Sequence, residues 1–193
     1  MADTYNQVTA QQTELSFAPP QNFFLAVERL PRLQFTVQQV NVPPISGGEA
    51  AMPTRFNSGR AYMPGDTVDY AQLDVTFLID KHFKTYQSIL KWLKGINNPE
   101  GGTQFQDFLD NVDTQANTDY AKTMSNIILM GTDSANQPVA EWKFFNAFPI
   151  SVDGPQYDAT RQDIEYLTAA VSFRYMYLEF STYTNGAKNN DTI

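Results

Sequence analysis

The chain holds a single histidine, His82, and no cysteine. Histidine is the commonest general base because its charge changes near neutral pH. A lone histidine with no cysteine in the chain and no nearby nucleophile reads as a surface or capping residue. Asp107, Asp110, Asp113 and Asp119 crowd one polar stretch, which raises the question of calcium. The calcium-loop spacing, with its obligatory Gly and terminal Glu, is missing, so a solvated loop is expected there. Gly47-Gly48 and Gly101-Gly102 are not followed by Lys-Ser or Lys-Thr, so they are turn glycines and not a phosphate cradle. Asn190-Asp191-Thr192 is a glycosylation triplet, but no secretory signal accompanies it. There is no G-x-S-x-G or H-E-x-x-H motif. The expectation is therefore no catalytic residues, no metal, no cofactor and a role other than catalysis.

Composition narrows the class. The 193 residues include ten Tyr and fourteen Phe, and charged residues make up only 18%. That balance favours β structure and extensive packing. The net charge of −8 argues against a phosphate-gripping face, which needs clustered Lys and Arg to replace counterions. Without cysteine there is neither a disulfide frame nor a thiolate site. No apolar run reaches the roughly 20 residues of a membrane-spanning helix, and the polar opening lacks a signal-peptide core. A soluble intracellular product is expected, with no membrane insertion by this chain.

The elements that must carry any site are legible in part. Residues 1–20, rich in Gln, Thr and Ala and ending in "APP", predict a flexible arm. Two β-like runs, 22–28 and 33–40, flank "RLPR" and suggest a hairpin interrupted by Pro31. The stretch 41–59 holds three prolines and three glycines, which predicts a long irregular excursion. Leu73, Val75, Phe77 and Ile79 alternate with Asp74, Thr76 and Asp80 and mark the clearest strand. Phe83, Tyr86, Ile89, Leu90 and Leu93 then recur at helical spacing. Asp80 is placed to cap the first turn, Gly95 to cap the end, and Lys91 and Lys94 to meet the negative end of the dipole. Residues 97–119 predict a second long polar loop, and "MSNIILMGT" with "VAEWKFFNAF" a hairpin around "DSANQ". The fold class is mainly β, an antiparallel barrel or sandwich with one flanking α-helix, in a single domain over 1–193 with a tail from 183 to 193.

One stretch exceeds this frame. Residues 166–182, "YLTAAVSFRYMYLEFST", contain no Gly, Pro or Asn and would run on the order of 50 Å if extended throughout. Such a strand either bends, near Arg174, or belongs to something larger than one chain. Leu167, Ala169, Val171, Phe173, Tyr175 and Tyr177 form an apolar face. The other face begins polar with Thr168, Ser172 and Arg174 and turns apolar at Met176, Leu178 and Phe180.

In this order the elements resemble the tail-tube protein family of contractile-tailed bacteriophages. The marks are "NFFLAVERLPRLQFTVQQVNVPP", similar to the family's first hairpin; "PGDTVDYAQLDVTFLIDKHFKTYQSILKWLKGI", similar to its Gly-Asp turn, strand and helix; and "FFNAFPISVDGPQYD" through "DIEYLTAAVSFRYMYLEF", similar to its closing unit. The resemblance runs from about residue 22 to 180. It implies a tail-tube-like fold whose copies form homohexameric rings around a channel, stacking into the inner tube that conducts DNA. It further implies Asp74, Thr76, Thr168, Ser172 and Arg174 as channel-facing residues, with an acidic lumen along which DNA slides. Pro43, Pro44, Ile45, Gly47 and Gly48 are implied to lie in a loop that reaches a neighbouring ring or subunit. The partners implied are further copies of the chain, the sheath, the tape-measure protein and baseplate tube-initiator proteins, in the tail of a virion assembled in the bacterial cytoplasm. The polar arm, the 97–119 insertion and the C-terminal extension leave open a single-layer ring at the baseplate or tube end. A ligand-binding β-barrel is the alternative of another class, and it requires an enclosed apolar cavity.

Overall fold

The structure is a computed structural model that describes residues 19–53, 59–97, 123–158, 160, 165–184 and 187–189. The acidic residues Asp107, Asp110, Asp113 and Asp119, Gly101-Gly102, the triplet at 190–192 and all but the end of the expected N-terminal arm lie outside the described residues. Ten strands and one helix follow in chain order: β1 (Phe23–Val27), β2 (Val37–Asn41), β3 (Ile45–Pro53), β4 (Arg60–Tyr70), β5 (Leu73–Leu78), α1 (Lys84–Asn97), β6 (Ser125–Thr132), β7 (Pro138–Val152), β8 (Thr168–Arg174), β9 (Tyr177–Thr184) and β10 (Ala187–Lys188). Every strand pairing is antiparallel. The mainly β fold with one helix is as the alternation and aromatic content lead one to expect.

β7 is the spine. Its first part, from Ala140 to Phe145, pairs with β9, and its last part, from Phe148 to Val152, pairs with β8. β8 and β9 thus continue one antiparallel course along β7, interrupted at Tyr175 and Met176, where Met176 N–H donates to the Phe145 carbonyl at 2.9 Å. The overlong stretch 166–182 is one strand with a bend immediately after Arg174. Asn146 across from it takes a left-handed φ of 53°, a conformation Asn tolerates better than most residues. Two sheets result, sharing β7: sheet A in the order β1-β6-β7-β9-β10, and sheet B in the order β7-β8-β5-β2.

One core takes side chains from both sheets. Leu25, Val27, Ile127, Leu129 and Phe144 come from sheet A, and Leu73, Val75, Phe77, Ala169, Val171 and Phe173 from sheet B. Leu73, Val75 and Phe77 are fully buried, so the period-two reading of β5 holds. α1 closes the core with Ile89 and Trp92. The Trp92 ring lies 5.9 Å from that of Phe173, its Nε1 donates to the Thr123 carbonyl at 2.8 Å, and the Arg29 guanidinium sits 5.3 Å over its face. Burial lowers the Arg29 pKa to about 10.

Four local expectations need correction. β1 and β2 are not a hairpin: β1 pairs with β6 and β2 with β5. Leu30 and Leu33, both buried in a 3-10 turn region, pass the chain from one sheet to the other. Within the excursion 41–59, residues 45–53 are not irregular. They form β3, which pairs with β4 in a two-stranded arm, and prolines are tolerated there because each strand has a free edge. The Gly-Asp pair at 65 and 66 is inside β4 and not at a turn. A Cβ on Gly65 would come within 2.9 Å of the Gly48 backbone, so the two glycines allow the strands to approach at the bulge beside Gly47. Finally, the buried stripe of α1 runs through Thr85, Ile89 and Trp92, Leu90 and Leu93 are only half-buried, and Gly95 is buried within the helix instead of ending it.

The start of α1 matches its sequence signal. Asp80 Oδ1 accepts the Thr85 N–H at 3.2 Å. Desolvation pushes its pKa up, but hydrogen bonds from the backbone N–H groups of Thr85, Lys84 and its neighbours outweigh this and hold it below the ordinary value. Losing such a cap costs about 1 kcal/mol. Asp80→Ala should lower the urea midpoint accordingly with an unchanged slope, and wild-type stability should fall as pH drops through the depressed Asp80 pKa. An unchanged acid limb in Asp80→Ala would remove the cap from this account.

Candidate functional site: the outer face of sheet B

β5 and β8 are in register from Leu73↔Phe173 to Leu78↔Thr168. Because side chains alternate, burying Leu73, Val75, Phe77, Val171 and Phe173 turns Asp74, Thr76, Ser172 and Arg174 to the opposite face. The structure brings these residues together. Ser172 Oγ donates to Asp74 Oδ1 at 2.6 Å, and Arg174 Nη1 donates to the Tyr70 carbonyl at 3.1 Å. Thr168 is exposed at the far end of the same face. All five residues singled out from the sequence therefore share one surface.

The flanking strands extend this face with residues the sequence did not point to. Asn41 pairs with Asp74 and Gln39 with Thr76, while Ser151 pairs with Ser172. A register shift between Val37 and Gln39, and another between Pro149 and Ser151, break the period-two signal that would have found them. The face is made of hydroxyls and amides. Asp74 and Arg174 carry opposite charges, and Asp153 and Glu165 line a groove with Thr76 and Thr168 at the far end.

The loop residues divide differently. Pro43 is buried at the root of the arm, whereas Pro44, Ile45 and Gly47 are exposed and Gly48 is half-buried. Ile45, Met52, Tyr62, Met63 and Val68 stand at least half exposed along the arm. At its outer part Ala50 pairs with Met63 and Met52 with Ala61, giving one wholly apolar face. A two-stranded ribbon by itself is only marginally stable in water, and no third strand joins it among the described residues.

Chemistry is sparse. Among the described residues no three His, Cys, Asp or Glu side chains are grouped to hold a metal, and His82 is exposed. At the end of sheet B away from the arm, an open groove of about 430 Å³ is lined by Thr76, Asp153, Tyr157, Glu165, Tyr166 and Thr168 among others. It is open and polar, unlike the enclosed apolar cavity of a ligand-binding barrel. No helix of the described residues is long and apolar enough to cross a membrane.

The sequence from residue 5 to 181 matches the model of the phage tail tube protein family. The chain belongs to that family. Solved structures agree on the fold. The anti-feeding prophage tube-terminating cap aligns with a TM-score of 0.54 at 16% identity, over 92% of this chain and 99% of that one. The sheath-tube complex of the PVC extracellular contractile injection system, in its extended state, aligns with a TM-score of 0.52 at 16% identity, over 88% and 94%. Hcp1 from Salmonella typhimurium aligns with a TM-score of 0.50 at 12% identity, over 89% and 91%. At these identities the likeness is one of fold. No curated protein sequence matches the chain. A tail tube protein is a structural part of a phage or contractile-injection tail, which agrees with the resemblance read from the sequence.

Tyr175, next to Arg174 at the arm end of the face, is buried, and its hydroxyl meets no hydrogen-bond partner among the described residues. Desolvation, with the nearby Tyr70, raises its pKa to about 12 against the opposing pull of Arg174. Its ring packs edge-on against Phe144 at 4.9 Å and tilted against Tyr70 at 5.7 Å. An unpaired buried hydroxyl costs free energy while the ring stabilises. Tyr175→Phe should therefore match or exceed the wild-type melting temperature, whereas Tyr175→Ala should fall by several kcal/mol, on the order of 3 to 5. A clear loss in Tyr175→Phe would show that the hydroxyl has a partner.

Proposed function

We propose that this chain is a ring-forming subunit of the inner tube of a contractile tail, a homohexamer in which sheet B of each copy joins that of the next around a channel. The carrying observation is the pair of open edges on sheet B. Among the described residues nothing pairs with the outer edge of β2, or with residues 148–152 of β7 on the side away from β8. Sheet B has four strands alternating in direction. With an even number per copy, β2 of one protomer meets β7 of the next antiparallel, and the pattern repeats without fault until the barrel closes. Closure satisfies backbone groups that an open sheet leaves exposed.

On this reading Asp74, Thr76, Thr168, Ser172 and Arg174 line the channel together with Gln39, Asn41 and Ser151. A lining of hydroxyls and amides with one guanidinium per copy lacks the clustered cations that hold phosphates, so DNA passes without being retained. The apolar arm, including Ile45, Gly47 and Gly48, reaches a neighbouring subunit or ring. The chain works as one tail-tube-like unit, structural and not catalytic. Its partners are other copies, the sheath, the tape-measure protein and baseplate initiators, within a virion tail assembled in the host cytoplasm. A single-layer ring at one end of the tube is the second reading, favoured by the end-to-end alignment with a tube-terminating cap.

Because the chain has no cysteine, introduced thiols report directly on the joint. Gln39→Cys or Asn41→Cys combined with Ser151→Cys should give a ladder of disulfide-linked species ending at the hexamer on a non-reducing gel, from particles seen as rings by negative-stain microscopy. Rods favour the stacking tube, and rings without rods favour the single layer. A chain that stays monomeric at high concentration, or rings in which neither pair cross-links, would overturn the β2–β7 joint.

A further inference from the structure

Sheet A also has two outer edges, β1 and β9, and the same parity applies: β9 of one copy could meet β1 of another antiparallel. Such a head-to-tail contact would propagate in competition with the sheet B joint. The two sheets differ in one respect. β9 is followed by β10, which returns along its outer edge with Ala187 opposite Thr184 and Lys188 opposite Tyr183. Of the tail read from residue 183, this part folds back onto the sheet. Thr182 pairs with Ala140 of β7 on one side. On the other its carbonyl accepts the Asn189 N–H at 2.9 Å and its Oγ1 accepts Asn189 Nδ2 at 2.9 Å. β10 and Asn189 therefore occupy the last part of that edge, Thr182 to Thr184 of an eight-residue strand.

Two paired residues are too few to hold a strand by ladder hydrogen bonds alone, and the structure supplies an anchor. Glu141, on β7 two strands away, is a carboxylate with only 8% of its surface exposed. The Tyr183 hydroxyl donates to its Oε2, and Lys188 Nζ lies 3.3 Å from its Oε1. The clasp spans β7, β9 and β10 on one face. A carboxylate this buried is costly unless paired, so displacing β10 would leave Glu141 without the Lys188 cation. The outer edges of β1, β2 and residues 148–152 have no comparable cover among the described residues.

We propose that β10, clasped through Lys188 to Glu141, is an edge guard that denies β9 to a second copy of this chain and so leaves sheet B as the sheet that joins copies. The inference rests on the ring reading and adds a determinant of which edges pair. A β1–β1 contact is isologous and stops at two copies, so blocking β9 removes the second direction of growth.

The test uses the full-length chain. Lys188→Glu sets like charges together and opens the clasp, and Lys188→Glu with Glu141→Lys restores it in reverse. Assembly is followed by negative-stain microscopy and thioflavin T fluorescence, with far-ultraviolet circular dichroism and melting temperature as folding controls. The expected result is uniform rings from the wild type, loss of uniformity with laterally joined, dye-binding material from Lys188→Glu, and recovery of uniform rings in the double variant. Folded Lys188→Glu that assembles like the wild type would overturn the guard, as would a single variant that remains a folded monomer, since β10 would then belong to the joint. If Lys188→Glu fails to fold, Lys188→Met decides by the same criteria. A wild type that forms no rings would overturn the ring reading itself, a distinct outcome.

Discussion

The structure depends on one long antiparallel pairing that bends. β7 runs 15 residues, far beyond the usual strand, and pairs along its length with β9 and then β8. A pairing of that length stays within one core only by turning, and the turn is made where Asn146 takes its left-handed φ and Met176 donates back to Phe145. Beyond the turn the same two strands belong to the other sheet. Phe144 and Phe173, on either side of the bend, consequently face one shared interior, with Tyr175 against Phe144 at the corner. α1 packs against that interior through Trp92.

The bend also explains the change of character along 166–182. In β8 the face away from the core is polar because it is the open face of sheet B. In β9 the register passes to sheet A, where Leu178 and Phe180 turn inward against Phe144 and Trp142, with the Phe180 and Trp142 rings 5.2 Å apart. The outer face there holds Tyr177 stacked on Phe145 at 4.4 Å, and Lys143 lies 4.6 Å over the Phe145 ring. A change of facing residue at the break inverts the alternation. What looks like a strand buried on both sides is a strand that changes sheets.

This accounts for what could be read from the residues alone. Elements with an unbroken local pattern were legible: β5 through its alternation, and the β6–β7 hairpin through Asp133, whose Oδ1 accepts the N–H groups of Ala135 and Gln137. Pairings between elements remote in sequence were not. β1 and β2 look like each other's partner because they are neighbours in the chain, yet each pairs with a strand placed by the spine. The helix stripe was misplaced because Trp92, whose indole needs both a carbonyl and an aromatic neighbour, outcompetes Leu90 and Leu93 for the interior. The arm was hidden because Pro and Gly signal irregularity in a central strand and are permissible in a ribbon with two free edges. The five residues of the polar face were found through β5 and β8, whereas Gln39, Asn41 and Ser151 sit beside bulges that erase the alternation.

The remaining question is how a chain with open edges avoids joining at random. Backbone groups on an unpaired strand do not distinguish one partner from another, so selectivity comes from which edges are reachable and from what lies beside them. Sheet B presents two edges flanked by a polar face, and on the ring reading its even strand number lets identical copies meet without a mismatch in direction. Sheet A presents one edge partly covered by β10 and, among the described residues, one unpaired edge on β1. The asymmetry is built from very little: a two-residue strand, one lysine and one buried glutamate. A weak element suffices because it competes only with the first few hydrogen bonds of an encounter, before a longer pairing can form. Sheet B meets no such obstacle, so the two sheets of one protein, built on a common strand, present themselves unequally to the next copy.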